Sequence, residues 1–345
     1  MRRTEARSVR ARVAAEMISR LQYRFVESLN SLSELLGCNH PFKAVEWFRD
    51  GGEHGGGVRY EATDEILFNR GSVNYSHVHY DNDPSKKLSS ATAISTIIHP
   101  ANPLVPSVHM HISWTEMRDG NGYWRIMADL NPSNPFLRDT ELFEDALRVA
   151  AKGYYPEGSA QGGRYFYIPA LGRHRGVSHF YLEQFNTGNE KEDLEFASEF
   201  GITMIDAYVA IIRDAIEERR EWSGEEHRRQ LEYHTLYLLQ VLTLDRGTTS
   251  GLLVHDQNDV GIMGSLPSHV DKTLLRSWIG KLSGVQNDLL RSIVDTLGEG
   301  EIVLVDEKTK AALAGVVRQH YRVHPEALAL QASGETIPPT VDNHR

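Results

Sequence analysis

The chain has 345 residues, 40% hydrophobic and 24% charged, with 37 basic and 47 acidic side chains giving a net charge of −10. That balance suits a folded soluble protein and argues against a general nucleic-acid or membrane-surface binder, while leaving room for a local basic pocket holding an anion. The single cysteine, Cys38, excludes an intramolecular disulfide and a multi-cysteine zinc site, so a reducing, cytoplasmic setting is the simplest expectation.

The arginine-rich start lacks the apolar centre of a secretory signal. Met17, Leu21, Phe25, Leu29 and Leu32 recur at helical spacing, so residues 10–36 are expected as an amphipathic helix packed on the domain, with a mitochondrial presequence as the alternative. The next stretch, "EWFRDGGEHGGGVRYE" at 46–61, is glycine-rich but is not a phosphate-binding loop, because no Gly-Lys-Ser/Thr follows. Strands are expected at 57–70, 72–80, 91–99, 107–117, 123–130 and 164–169, with "MRDGNGY" at 117–123 as a hairpin connection.

The second half is more helical. Ile205, Tyr208, Val209, Ile212 and Ile216 mark a helix within 193–221, and Ser223 is placed to cap another at 225–237. Residues 239–256 read as strand, turn and strand, followed by helices at 271–282, 285–297 and 308–320 and a loose polar tail from 333. No run of 18 apolar residues occurs, so no membrane span is expected. With neither a repeat nor a clear linker, one α+β domain over 1–345 with a mainly antiparallel sheet is expected.

One stretch carries chemistry. In "TIIHPANPLVPSVHMHISWTEM" at 96–117, Val108, Met110, Ile112 and Trp114 alternate with His109, His111, Ser113 and Thr115, which puts both histidines on one strand face. If this strand pairs with 123–130 across the connection, Asp129 falls opposite His109 or His111, and Arg125, Met127 and Asp129 share the histidine face. A carboxylate beside an imidazole fixes its tautomer and favours its charged form, which equips the pair for proton transfer. The alternatives are solvated histidines on an exposed face, or a copper or iron centre drawn from His77, His79, His99, His109 and His111.

Several ordered motifs resemble the oxygen-dependent coproporphyrinogen III oxidase family. The family's "VNFSHVHG" is met by "VNYSHVHY" at 73–80, and its "HPxNPxxPTxHxNxRxF" by "HPANPLVPSVHMHISW" at 99–114. "IMADLNP" at 126–132, "YFYIPALGRHRGVSHFYLEQF" at 165–185, "DRGTTSGL" at 245–252 and "MGSLP" at 263–267 follow in family order. The resemblance implies a flat antiparallel sheet flanked by helices, a homodimer, and dioxygen-dependent oxidative decarboxylation of two porphyrinogen propionates to vinyls. It implies no organic redox cofactor, since the electron-rich substrate reduces oxygen itself. No metal is expected; were a divalent ion used, His99, His109 and His111 are its candidate ligands.

Position by position, the resemblance makes His109 the acid/base group, Asp129 the holder of pyrrole N–H groups, and Arg175 and Arg246 pocket arginines, with Arg246 in the catalytic set. Ser76, His111, Ser113, Arg175 and Gly247 form the expected substrate-binding set. The chain departs from the family pattern at Ser113, where an arginine stands, at Arg125–Met127, where a glycine triplet stands, and at Ala170 and Leu171, in place of a His-Arg pair. Those replacements predict a smaller, less cationic pocket. They leave open a smaller electron-rich acid as substrate, or a tetrapyrrole-binding module without catalysis.

Overall fold

In the computed structural model, residues 2–254, 257–335 and 340–343 are described. Helix α1 spans Val9–Leu35 and starts at Ser8, whose hydroxyl accepts from the Ala11 amide. Strands β1 (Lys43–Phe48), β2 (Gly55–Ala62), β3 (Phe68–His79), β4 (Leu88–Pro100), β5 (Ser107–Met117) and β6 (Gly122–Asn131) then run as an antiparallel meander. Helices α2 (Leu137–Ala151) and α3 (Tyr155–Tyr165) and the short pair β7 (Tyr167–Ile168) and β8 (Arg173–His174) lead to β9 (Ser178–Phe185). β9 pairs with β6 and completes a seven-stranded sheet of order β1-β2-β3-β4-β5-β6-β9.

Alternation along these strands produces two unlike faces. One carries Val73, Ile94, Ile98, Val108, Met110, Ile112, Ile126, Ala128 and Leu130, all in one buried apolar cluster with α1, α2 and α4 (Glu190–Glu218). Gln22 of α1 lies in that layer and donates to the carbonyls of Val58 and Val73. The other face is roofed by the C-terminal half. That half comprises α5 (Gly224–Thr243), α6 (Arg246–Val254), α7 (Asp259–Ile262), β10 (His269–Asp271), α8 (Lys272–Ser277), α9 (Gln286–Thr296), β11 (Ile302–Leu304), α10 (Glu307–Val323) and α11 (Thr340–Asn343). All of these except α11 contribute to a second apolar cluster, which includes Ile97 of the sheet. Ser223 and Glu226 form the capping box that starts α5.

The expected α+β class and antiparallel sheet hold, as do the helices at 10–36, 193–221, 225–237, 285–297 and 308–320 within a few residues at their ends; the one expected at 271–282 is limited to Lys272–Ser277. The strand–turn–strand reading of 239–256 is wrong: α5 continues to Thr243 and α6 begins at Arg246, with residues 255–256 outside the described set. The physical reason is burial on every side of the helix. Tyr233 to Thr243 are all buried, so no polar face reveals the helical period.

The break expected between 57–70 and 72–80 is also misplaced. The turn falls between Ala62 and Phe68, and Gly71 lies inside β3, where a Cβ would come within 2.5 Å of the Phe42 ring. The expected strand at 164–169 starts in the last residues of α3, leaving only Tyr167–Ile168 extended. The tail is tied down at its start: Arg164 donates to the Gly334 carbonyl at 2.9 Å, and Gln331 donates to Thr249 at 2.6 Å. Residues 336–339 and 344–345, also part of the expected loose tail, lie outside the described residues.

Candidate active site

A cavity lies between the sheet and its C-terminal roof. Its floor is the odd-numbered face of β4, β5 and β6 with the even-numbered face of β3, including Ser72, Asn74, Ser76, Ala93, Ser95, His109, His111, Ser113, Arg125 and Met127. Trp47 of β1 closes one side, and Tyr237 and Val241 of α5 and Asp245, Gly247 and Thr248 around the start of α6 supply the roof. Four strands at about 4.8 Å spacing give a floor roughly 14 Å across, extended on the β3 side as far as Trp47.

At one end of this floor the strand register does the chemical placement. His109 of β5 stands opposite Asp129 of β6, and its Nδ1 is 2.9 Å from Asp129 Oδ1. Asp129 is fully buried, and its other oxygen accepts from Arg175 at 2.8 Å and from Asn131 at 2.6 Å. Arg175 is 2% exposed and donates through Nε to Asn131 as well. Burial alone would raise the Asp129 pKa, but the Arg175 guanidinium and His109 hold it well below the usual carboxylate range. Arg175 Nη2 also lies 3.2 Å from His109 Nδ1, but the shorter contact to the Asp129 carboxylate places the imidazole proton on Nδ1 and leaves Nε2 for a ligand.

The remaining expected residues divide clearly. His111 and Ser113 line the floor next to one another, with His111 Nε2 3.0 Å from Ser113 Oγ, and burial and then Arg125 push the His111 pKa down to about 3. Ser76, Arg175 and Gly247 also line the cavity. Arg246 points elsewhere. It donates from Nε and a terminal nitrogen to the Ala332 carbonyl at 2.9 and 2.7 Å, and lies 3.6 Å from Glu183. Asp129 sits beneath His109 rather than on the cavity lining.

The five histidines weighed as metal ligands do not converge. His99 is buried against Tyr233, His234 and Tyr237 with Nδ1 3.0 Å from Ser107. His77 and His79 occupy the opposite face of the sheet, where they meet the Ala6 amide and the Thr4 hydroxyl. Among the described residues, no group of three or more His, Cys, Asp or Glu side chains is placed to hold a metal ion.

One charged lining residue was not singled out from the sequence. Among the described residues Asp245 is the carboxylate that reaches the cavity from the roof; it accepts from Tyr165 at 2.9 Å and from the Thr248 amide at 2.7 Å. Despite burial, the Thr248 amide and His109 keep its pKa lowered. It stood beside Arg246 in the "DRGTTSGL" motif, but alternation says nothing about a residue heading a helix. Arg125 was already on the histidine face by alternation, and the structure places it on the floor; Arg173 is exposed on β8. Of the other bulky replacements, Met127 joins the floor, Ile126 enters the opposite core, and Ala170 and Leu171 pack on the second apolar cluster.

These features define an α+β protein with a broad, sheet-floored small-molecule cavity and a histidine–aspartate–arginine array at one end. The family model described as coproporphyrinogen III oxidase matches residues 13–275, and the chain belongs to that family. It is 31% identical over 249 residues to the oxygen-dependent coproporphyrinogen-III oxidase of Rickettsia akari (strain Hartford), covering 68% of this chain and 86% of the relative. The enzyme of the same name from Rickettsia bellii (strain OSU 85-389) is 31% identical over 243 residues, covering 66% and 84%.

Proposed function

We propose that the protein oxidatively decarboxylates a porphyrinogen, converting propionate side chains to vinyl groups with dioxygen as oxidant. In each side chain a β C–H bond and the bond to the carboxylate break, a C=C bond forms, CO2 leaves, and two electrons pass to oxygen. Two such steps supply the four electrons that, with four protons, take O2 to two waters.

The observation that carries this reading is the His109–Asp129 pair at the end of a cavity floor broad enough for a macrocycle. His109, oriented by Asp129, moves a proton at Nε2. Arg175 is the counter-ion that keeps Asp129 charged within a buried site. Asp245, already facing the cavity, accepts from pyrrole N–H groups and stabilises positive charge as the macrocycle gives up electrons. The electron-rich macrocycle makes an organic redox cofactor unnecessary, and the reading extends to a homodimer working in the cytoplasm. Among the described residues no helix is long and apolar enough to cross a membrane. Incubating the purified, metal-analysed protein with coproporphyrinogen, with and without air, tests the reaction. Divinyl product and oxygen uptake only in air are expected; unchanged substrate in air would overturn it.

A further inference from the structure

Among the described residues, three charged side chains outside the histidines line the cavity: Arg125, Arg175 and Asp245. Two are already satisfied, since Arg175 is paired with Asp129 at 2.8 Å and Asp245 accepts from Tyr165 and Thr248. Arg125 is not. Among the described residues its guanidinium has neither an ion-pair nor a hydrogen-bond partner, and its Nε is buried without one. The nearby acid, Glu183, accepts from the Tyr181 hydroxyl at 2.7 Å and lies 3.6 Å from Arg246.

The sheet register shapes the space in front of this guanidinium. Across the floor from Arg125 the row runs Ser113, Ala93, Ser76 and Gly57, all small, so a trough edged by two hydroxyls opens beside the cation. The His109–Asp129 pair lies four residues further along the same two strands, about 13 Å away at strand rise. A guanidinium is charged at any working pH, offers two parallel donors that match a carboxylate, and is costly to keep desolvated and unpaired.

We infer that Arg125 is a carboxylate receptor: it grips a carboxylate of the substrate that is not the one being lost, roughly 13 Å from the reacting group at His109. The inference rests on the proposed reaction for its substrate class, a ring acid bearing several carboxylates. It makes Arg125 a specificity determinant. The residue anchors the far edge of the substrate and so brings a near-edge side chain to His109, and it touches none of the reacting atoms.

The test uses the intact protein, Arg125→Gln and Arg125→Lys. Coproporphyrin III, the stable oxidised tetra-acid, is titrated against each by its Soret absorbance, and kcat and KM are measured with coproporphyrinogen. Arg125→Gln is expected to raise Kd and KM by on the order of 10- to 100-fold, as for a lost charged bidentate contact, with kcat changed by less than about threefold. Arg125→Lys, a point charge without the fork, is expected to recover part of the affinity. Thermal stability should be unchanged or higher, because an unpaired charge has been removed.

A Kd for Arg125→Gln within about twofold of the native value overturns the inference, as does a lowered melting temperature with unchanged Kd, which would make Arg125 a structural counter-ion of Glu183. Arg125-dependent porphyrin binding by a protein that leaves coproporphyrinogen unoxidised in air would sink the proposed reaction and keep the receptor. Turnover with an unaltered KM in Arg125→Gln would do the reverse. Failure of the native protein to bind the porphyrin would remove both.

Discussion

The two faces of the seven-stranded sheet are made from alternate residues of the same strands, yet they follow opposite rules. On the helix-packed face, Ile112 and its neighbours are buried and interchangeable in kind: they need volume and apolarity, and their register matters only as packing. On the cavity face chemistry counts as well as volume: Ser113 places its hydroxyl 3.0 Å from His111 Nε2, and Arg125 stands opposite it. A single-residue step along β5 therefore crosses from a site of stability to a site of specificity.

The strongest way to break this contrast is to strike the cavity face at its paired end. His109→Ala and Asp129→Asn are each expected to lower kcat by on the order of 100-fold or more, as acid/base and electrostatic groups do. The aspartate substitution should also cost about 3 kcal/mol of stability, since it leaves Arg175 buried without its counter-ion. Turnover close to native in both variants would remove the pair from the reaction.

On the other face, Ile112→Ala is expected to cost about 2–5 kcal/mol in urea denaturation, with kcat/KM per folded molecule unchanged. A large change in KM would show that the two faces are not independent. Arg246→Ala should behave like this packed-face variant although it comes from the roof. Releasing Ala332 and leaving Glu183 buried is expected to cost about 1–3 kcal/mol with little effect on KM.

Acid exposes the same division more gently. Burial lowers the pKa of His234 to about 3, and burial with Arg125 does the same for His111. Between the unfolded value of about 6.5 and the folded value the unfolded chain binds more protons, so each group's contribution is full above the upper limit. It is lost as pH falls, by at most about 1.4 kcal/mol per pH unit and less for partly exposed His111. Denaturation midpoints measured from neutral pH downward should fall across this window, and His234→Phe should flatten the slope. The smallest expected effect is Ser113→Ala: stability within about 0.5 kcal/mol of native and a few-fold weaker ligand binding.

Legibility in the sequence followed the same geometry. Where a strand has one apolar face and one polar face, alternation was sufficient: β5 and β6, their pairing, and the meeting of His109 with Asp129 all follow from period two and a hairpin connection. Where an element is buried all round, as α5 is over Tyr233–Thr243, the pattern vanishes and the run reads as strand. Gly71 falls between the two expected strands, yet it lies inside β3 and leaves room for the Phe42 ring, a long-range reason that local sequence does not contain. Asp245 reaches the cavity only because α6 docks over the sheet, and no periodicity encodes that docking. Motif resemblance supplied what periodicity lacked, namely the order of segments that meet in space.

Gly57 gives the molecule an optical property. A Cβ there would come within 2.5 Å of the Trp47 indole nitrogen, so glycine at this point lets the indole lie across β2 to the cavity edge. The other four tryptophans sit elsewhere: Trp114 and Trp124 lie against one another with tilted rings on the helix-packed face, Trp278 lies in the second apolar cluster, and Trp222 is exposed. Occupancy of the floor by an absorbing macrocycle should therefore quench the emission of Trp47 ahead of the other four. Trp47→Phe should erase that early component, so the chain carries its own fluorescent gauge of a filled cavity.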